Sequence, residues 1–286
     1  MTTLPLIKIV TPSFNQAQFL EETIQSVMRQ DYPRIEHIVI DGGSIDGSVD
    51  IIKKYENHIA YWVSERDAGQ SSAINKGFLK ATGDIFGWLN SDDLLAPSAT
   101  KIASYYLMRY PDIGVVYGDR LYIDAKGNVT GINQCPSYKQ GMFKKNFTLP
   151  QETVFFRKEV FEKVGGLDES LHFAMDFDLW CKLSKVTRMR HIPLFIGYFR
   201  AHETAKSVVV HRTEENGSAK YLEEHGRVYK RHFGTPPPSP MKMKWYRMLR
   251  RLNLLIEQRS DGYREEVLNI RSVISEHQEN IHTSTK

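Results

Sequence analysis

Through the first third of the chain, short apolar runs alternate with stretches in which apolar residues recur every three or four positions. Residues 6–10, 35–40, 59–63 and 85–89 are compact, apolar and strand-like. Between them, Phe19, Leu20, Ile24, Val27 and Met28 share one helical face. Residues 48–55 suit a helix after a glycine-rich turn, and two further helices are predicted around 71–80 and 98–110. Strand–helix alternation of this kind predicts an α/β fold: a mainly parallel, Rossmann-like sheet flanked by helices. Ligands of such sheets bind beyond the carboxyl ends of the strands. Thr11, Asp41, Glu65 and Asn90 each follow one of the four strands, so they are expected on one rim.

After residues 115–117 the pattern becomes more mixed. Residues 121–123 and 129–132 flank Asp124-Ala125-Lys126-Gly127, a hairpin signal. A strand at 154–156, a helix at 158–164 and two strands at 189–192 and 195–199 follow. Thr235-Pro236-Pro237-Pro238-Ser239-Pro240 disfavours helix and central strand and reads as a stiff linker. The expected organisation is a main domain over 1–234, in two halves at about 1–118 and about 119–234. The linker 235–240 then leads to a separable helical extension over 241–286.

Composition narrows this little. The 286 residues are 41% hydrophobic and 25% charged, with a net charge of +4. That is ordinary globular composition and does not call for nucleic acid. No apolar run approaches a bilayer span. Residues 1–5 lack the features of a secretory signal, and two cysteines, Cys135 and Cys181, fit a reduced cytosol.

Three carboxylate clusters carry the candidate chemistry. Asp41-Gly42-Gly43-Ser44-Ile45-Asp46-Gly47 fits neither the dinucleotide fingerprint nor a P-loop. Asp41 could accept hydrogen bonds from a nucleobase or ribose, or it could cap an ordinary turn. Asn90-Ser91-Asp92-Asp93 could hold a hard divalent ion together with substrate phosphates, or cap the next helix. Asp176 and Asp178 flank Phe177 at a predicted helix start; their spacing separates them on the helix surface. One can face a cleft while the other caps or pairs with a base. A carboxylate among Phe173, Met175, Phe177 and Trp180 would be shifted toward a general base.

The order of motifs then becomes informative. Val10-Thr11-Pro12-Ser13-Phe14-Asn15, the Asp41–Gly47 stretch, Asp67-Ala68-Gly69-Gln70-Ser71, Ala73-Ile74-Asn75-Lys76-Gly77 and Asn90-Ser91-Asp92-Asp93 come first. Gly165-Gly166-Leu167-Asp168-Glu169 and Met175-Asp176-Phe177-Asp178-Leu179-Trp180 follow. Over about residues 6–210 the chain resembles the inverting family-two glycosyltransferases with the GT-A fold. The resemblance implies that Thr11 and Pro12 lie along the nucleoside and that Asp41 accepts from the base, commonly uracil. It places Asp67 and Lys76 in the nucleotide-lining segment and Asn90 where many relatives carry a first aspartate. Asp92 becomes the aspartate that binds Mg²⁺ or Mn²⁺, with His202 and Ser207 near the metal–diphosphate. Asp176 becomes the general base, and Gln151 falls on the acceptor side. Asn90 adds no charge for the metal, and Met175 stands where the family often has glutamate.

The implied activity is inverting transfer of a sugar from a nucleoside-diphosphate donor, UDP-sugar favoured, to a saccharide or lipid-linked saccharide. The setting would be surface polysaccharide or glycolipid assembly. A nucleotidyltransferase and a non-catalytic nucleotide-sugar-binding partner are the alternatives. Residues 241–256 carry five basic residues and no acidic one, with Trp245, Met248, Leu249, Leu252, Leu255 and Ile256 at helical spacing. This segment reads as a membrane-surface helix or as a helix docked on the enzyme body. The first reading puts a cytoplasmic protein peripherally on the inner face of the membrane.

Overall fold

The computed structural model describes residues 3–80, 82–206 and 216–270. The expected alternation is present: β1 (Ile7–Ser13), α1 (Ala17–Met28), β2 (Ile35–Asp41), α2 (Ser48–Lys54), β3 (Tyr61–Ser64), α3 (Gln70–Leu79), β4 (Ile85–Trp88), β5 (Leu94–Leu95) and α4 (Ala99–Arg109). There follow β6 (Ile113–Ile123), β7 (Val129–Asn133), β8 (Phe155–Arg157), α5 (Lys158–Lys163), α6 (Met175–Leu183) and β9 (Arg188–Arg200). Three helices close the described chain: α7 (Asn216–Phe233), α8 (Pro240–Gln258) and α9 (261–270).

One nine-stranded sheet runs β3-β2-β1-β4-β8-β6-β9-β5, with β7 paired to β6. Strands β3, β2, β1 and β4 are parallel, as the α/β alternation predicts. Strand β8 inserts antiparallel between β4 and β6, and β6 then runs parallel to β9. Helix α3 lies close enough to β1 that a Cβ on Gly77 would meet Val10 at 2.4 Å, so only glycine fits there.

The two strands expected at 189–192 and 195–199 are one long strand, β9. Proline at 193 would ordinarily break a central ladder. Here the register skips from Ile192–Gly118 to Phe195–Asp119, and this bulge absorbs Pro193. Gly118 is required at the crossing, since a Cβ would lie 2.5 Å from Ile196.

The end of the Pro-rich run also differs from expectation. Pro240 is the first residue of α8, where a missing N–H costs nothing, and the Ser239 side chain caps the helix. The extension is not separate from the body. Ile270 is buried in the core cluster that contains Ile113 and Ile192, and Glu266 accepts from Tyr106 Oη (2.9 Å) and pairs with Arg190 (2.8 Å).

Candidate active site

A cleft of about 1080 Å³ opens over the carboxyl ends of β1, β2 and β4 and is closed on its far side by α6 and α7. Pro12, Asp67, Asn90, Asp92, Gln151 and Asp176 all line it, so these six residues named from sequence are brought together.

Asp176 stands in the first turn of α6, half-buried in the cleft wall. Desolvation raises its carboxyl above the ordinary value, against the opposing pull of its own helix amide and of Lys206 and Arg120. Asp178 turns the other way. Burial pushes its carboxyl up, but the hydrogen bond with His232 (2.8 Å) and the ion pair with Lys182 (2.9 Å) prevail and hold it at about 2. One aspartate faces the cleft and the other anchors the end of α7, as their spacing suggests. The loop before α6 is held by Glu224 of α7, whose carboxylate accepts from the amides of His172, Phe173 and Ala174 at 2.7–3.2 Å.

Asp92 meets His202 across 110 positions: Oδ2 and Nε2 lie 3.0 Å apart, while His202 Nδ1 is 3.0 Å from Thr204 Oγ1. His202 is buried behind Asp92 against Phe19. The 3.0 Å separation is that of a hydrogen bond between the two side chains, and a carboxylate and an imidazole are both groups able to ligate a divalent ion. Among the described residues no group of three His, Cys, Asp or Glu side chains forms a closed metal site. Arg200 is fully buried and fixes this turn: its N–H donates to Asp93 Oδ1 (2.9 Å), its Nε to the Asp92 carbonyl (2.9 Å), and its Nη2 to Glu22 (2.6 Å). Burial, followed by the charges of Asp92 and Glu152, raises the Asp93 carboxyl well above the usual range.

Asn90 sits in a run of amides along the cleft. Gln70 Nε2 donates to Asn90 Oδ1 (2.8 Å), and Asn90 Nδ2 donates to Gln151 Oε1 (2.9 Å) and, more weakly, to Asp93 (3.3 Å). Gln151 Nε2 ends the run on the Trp88 carbonyl (2.7 Å). An aspartate at 90 could not donate to Gln151 and would add a third carboxylate beside Asp92 and Asp93. The network gives a physical reason for asparagine there.

Three other sequence-derived assignments need correction. Thr11 does not reach the cleft: β1 continues to Ser13, so Thr11 lies below the rim, buried, with Oγ1 2.9 Å from His37 Nε2. Lys76, expected in the nucleotide-lining segment, is instead paired with exposed Glu65, and neither residue lines the cleft. Asp41 is buried beneath its own turn. Its oxygens accept from Gly43 N (3.1 Å), Ser44 N (2.8 Å), Ser44 Oγ (2.5 Å) and Ser64 Oγ (2.6 Å). Gly42 and Gly43 line the cleft above it. Asp41→Ala should accordingly destabilise the fold by about 1–3 kcal/mol through unpaired buried donors. Chemical denaturation checks this; an unchanged midpoint with weakened nucleotide affinity would restore the direct contact. Ser207 lies outside the described residues.

Sequence reasoning missed the Arg120–Glu152 pair, bonded through Nε to Oε1 at 2.7 Å, with the guanidinium 4.9 Å from the Phe199 ring centroid. Both residues line the cleft.

The glycosyl transferase family 2 profile matches residues 8–165, more than half of the chain. The chain belongs to glycosyl transferase family 2. An uncharacterized glycosyltransferase of Rickettsia typhi is 30% identical over 233 residues, covering 79% of this chain and 70% of its own length. Among solved structures, Staphylococcus aureus TarS 1–349 in complex with UDP-GlcNAc superposes with TM-score 0.61 at 17% identity, over 81% of this chain and 73% of that one. The mannosyltransferase PcManGT of Pyrobaculum calidifontis, in complex with GDP-Man and Mn²⁺, gives 0.60 at 19% identity, over 95% and 81%. The fold of this family-2 glycosyltransferase is thus GT-A, with C-terminal helices added. No helix among the described residues is long and apolar enough to cross a membrane.

Proposed function

We propose that this glycosyltransferase moves a sugar, with inversion, from a nucleoside-diphosphate donor, UDP-sugar favoured, to a hydroxyl of a saccharide or lipid-linked saccharide. The observation that carries the reading is the placement of a desolvated carboxylate, Asp176, and the Asp92–His202 pair around one cleft. The complexes of TarS with UDP-GlcNAc and of PcManGT with GDP-Man and Mn²⁺ support a nucleotide-sugar donor and a divalent ion. The family assignment favours sugar transfer over nucleotidyl transfer. Assembly of surface polysaccharide or glycolipid would bring the cytoplasmic enzyme to the inner face of the membrane.

Asp176 takes the proton of the acceptor hydroxyl as that oxygen attacks the anomeric carbon. The bond from that carbon to the diphosphate oxygen breaks on the opposite face, the nucleoside diphosphate leaves, and the configuration inverts. The Gly42–Gly43 turn, held by Asp41, lets backbone approach the nucleotide, with Pro12 and Asp67 beside it. Asp92, with His202, would hold a divalent cation, which when bound would supply Lewis-acid neutralisation of the leaving diphosphate. Arg200 keeps Asp92 aimed.

Isothermal titration with UDP should show metal-dependent binding in the wild type that Asp92→Ala abolishes, because alanine cannot hold a hard cation. Equal wild-type affinity with Mn²⁺ and with a chelator would end the metal assignment. Donor hydrolysis in the presence of Mn²⁺ separates an enzyme from a binding partner.

A further inference from the structure

Helix α8 has two unlike faces. Its inner face packs on the body: Met243 Sδ accepts from Asn146 Nδ2 (3.0 Å), Arg250 lies 5.3 Å from the Phe147 ring centroid, and Glu257 accepts from Ser137 N (3.0 Å). The docked-helix reading of this segment is therefore met by that face alone. On the opposite face, Met241, Trp245, Met248, Leu252 and Leu255 recur at intervals of four, three, four and three, which is one stripe of an α-helix. These five side chains are between 53% and 82% exposed. A continuous row of large apolar side chains left in water marks an interaction surface. Lys244 and Arg251 border the row on one side and Lys242 on the other, and no acidic residue occurs between 241 and 256.

We infer that this outward stripe docks the protein on an anionic lipid surface, with α8 lying in the interfacial plane. The charge pattern selects the partner. A second copy using the same stripe would bring like charges together, whereas anionic headgroups complement Lys242, Lys244, Arg247 and Arg251 while the acyl boundary takes Trp245 and Leu252. The helix rests on the segment that includes Asn146, and Asn146 lines the cleft, so docking sets the catalytic cleft beside the bilayer. That position suits a lipid-linked acceptor; this last step rests on the proposed function, whereas lipid docking does not.

The experiment is cosedimentation of the full-length protein with phosphatidylcholine–phosphatidylglycerol vesicles and with pure phosphatidylcholine vesicles, without donor or acceptor. Wild type should bind the anionic vesicles at low salt and release them as salt rises, because the electrostatic part is screened. The triple variant Trp245→Ser, Met248→Ser, Leu252→Ser should bind at least about tenfold more weakly, given the transfer energy of each large apolar side chain. Its folding midpoint and Mn²⁺-dependent UDP binding should be unchanged, since these side chains point away from the body. Two results would overturn the inference: wild type that ignores anionic vesicles at low salt, or a folded triple variant that binds them as tightly. Self-association of the wild type in ultracentrifugation, lost in the triple variant without any vesicle binding, would assign the stripe to a second copy instead. Because the assay needs no sugar donor, its failure leaves the catalytic reading untouched, and the reverse also holds.

Discussion

Asp176→Asn should lower sugar transfer by about 10²–10⁴-fold while leaving nucleotide binding near wild type, the scale expected when a positioned general base is lost. The amide is nearly isosteric and keeps an oxygen for the Phe177 amide, which the carboxylate now receives at 2.6 Å, so the first turn of α6 is preserved. What disappears is the ability to take a proton. The stability consequence has the opposite sign to the usual loss of function. Desolvation places the folded-state pKa of Asp176 above its unfolded value. The ionised form therefore costs stability, a cost absent at pH below the unfolded pKa and fully developed once pH has risen through the folded pKa. At neutral pH the Asn variant should melt at or above the wild-type midpoint. The wild-type rate should also fall on acidification at a pH above the ordinary aspartate value. Single-turnover assays and thermal melts measure both. Near-normal turnover with the native acceptor would remove Asp176 from the mechanism; a large drop in midpoint would make it a structural residue.

The parallel half of the fold was legible because its signals are local. Apolar spacing located β1 to β4 and the helices between them to within a few residues, and chain order put Pro12, Asp67, Asn90, Asp92 and Asp176 in one cleft. What was not legible depends on where a strand stops and which way a side chain turns. Thr11 fell below the rim because β1 runs on to Ser13. Asp41 was consumed by its own turn and by Ser64, 23 positions away. The residues that hold the site rigid were hidden for a related reason. Arg200 reaches Glu22 across 178 positions, and Glu224 reaches the amides before α6 across about 50. No local pattern announces such partners. Of these, only Arg200 sat in a stretch already marked, beside His202. The sequence pattern divides β9 into two strands around Pro193, a strong local breaker, and only the bulge opposite Gly118 shows how the ladder passes it.

Ending the chain after Pro240 should destabilise the enzyme strongly, although the Pro-rich run suggests a boundary there. The reason lies beyond α8. Ile270 is 2% exposed and fills part of the core beneath α4 and β6, and removing a buried isoleucine side chain alone costs about 2–5 kcal/mol. Loss of Glu266 leaves Tyr106 Oη without its acceptor and Arg190 without its carboxylate, with Arg190 still stacked on Tyr110 at 3.9 Å. An orphaned, mostly buried hydroxyl adds about 1–3 kcal/mol. Loss of the inner face of α8 also uncovers Phe147. At roughly 2–4 °C per kcal/mol for a chain of this size, the melting midpoint should fall on the order of 10 °C or more. Should the truncated protein prove insoluble, Ile270→Ala in the full chain gives the same reading at smaller scale, about 2–5 kcal/mol by denaturant titration. The residues proposed for catalysis lie on other elements, so the point variant should retain its turnover at temperatures well below its midpoint. A truncation that melts with the wild type, together with a neutral Ile270→Ala, would show that α9 rests on the body without contributing to it. The C-terminal segment would then be the separable appendage that the prolines suggest.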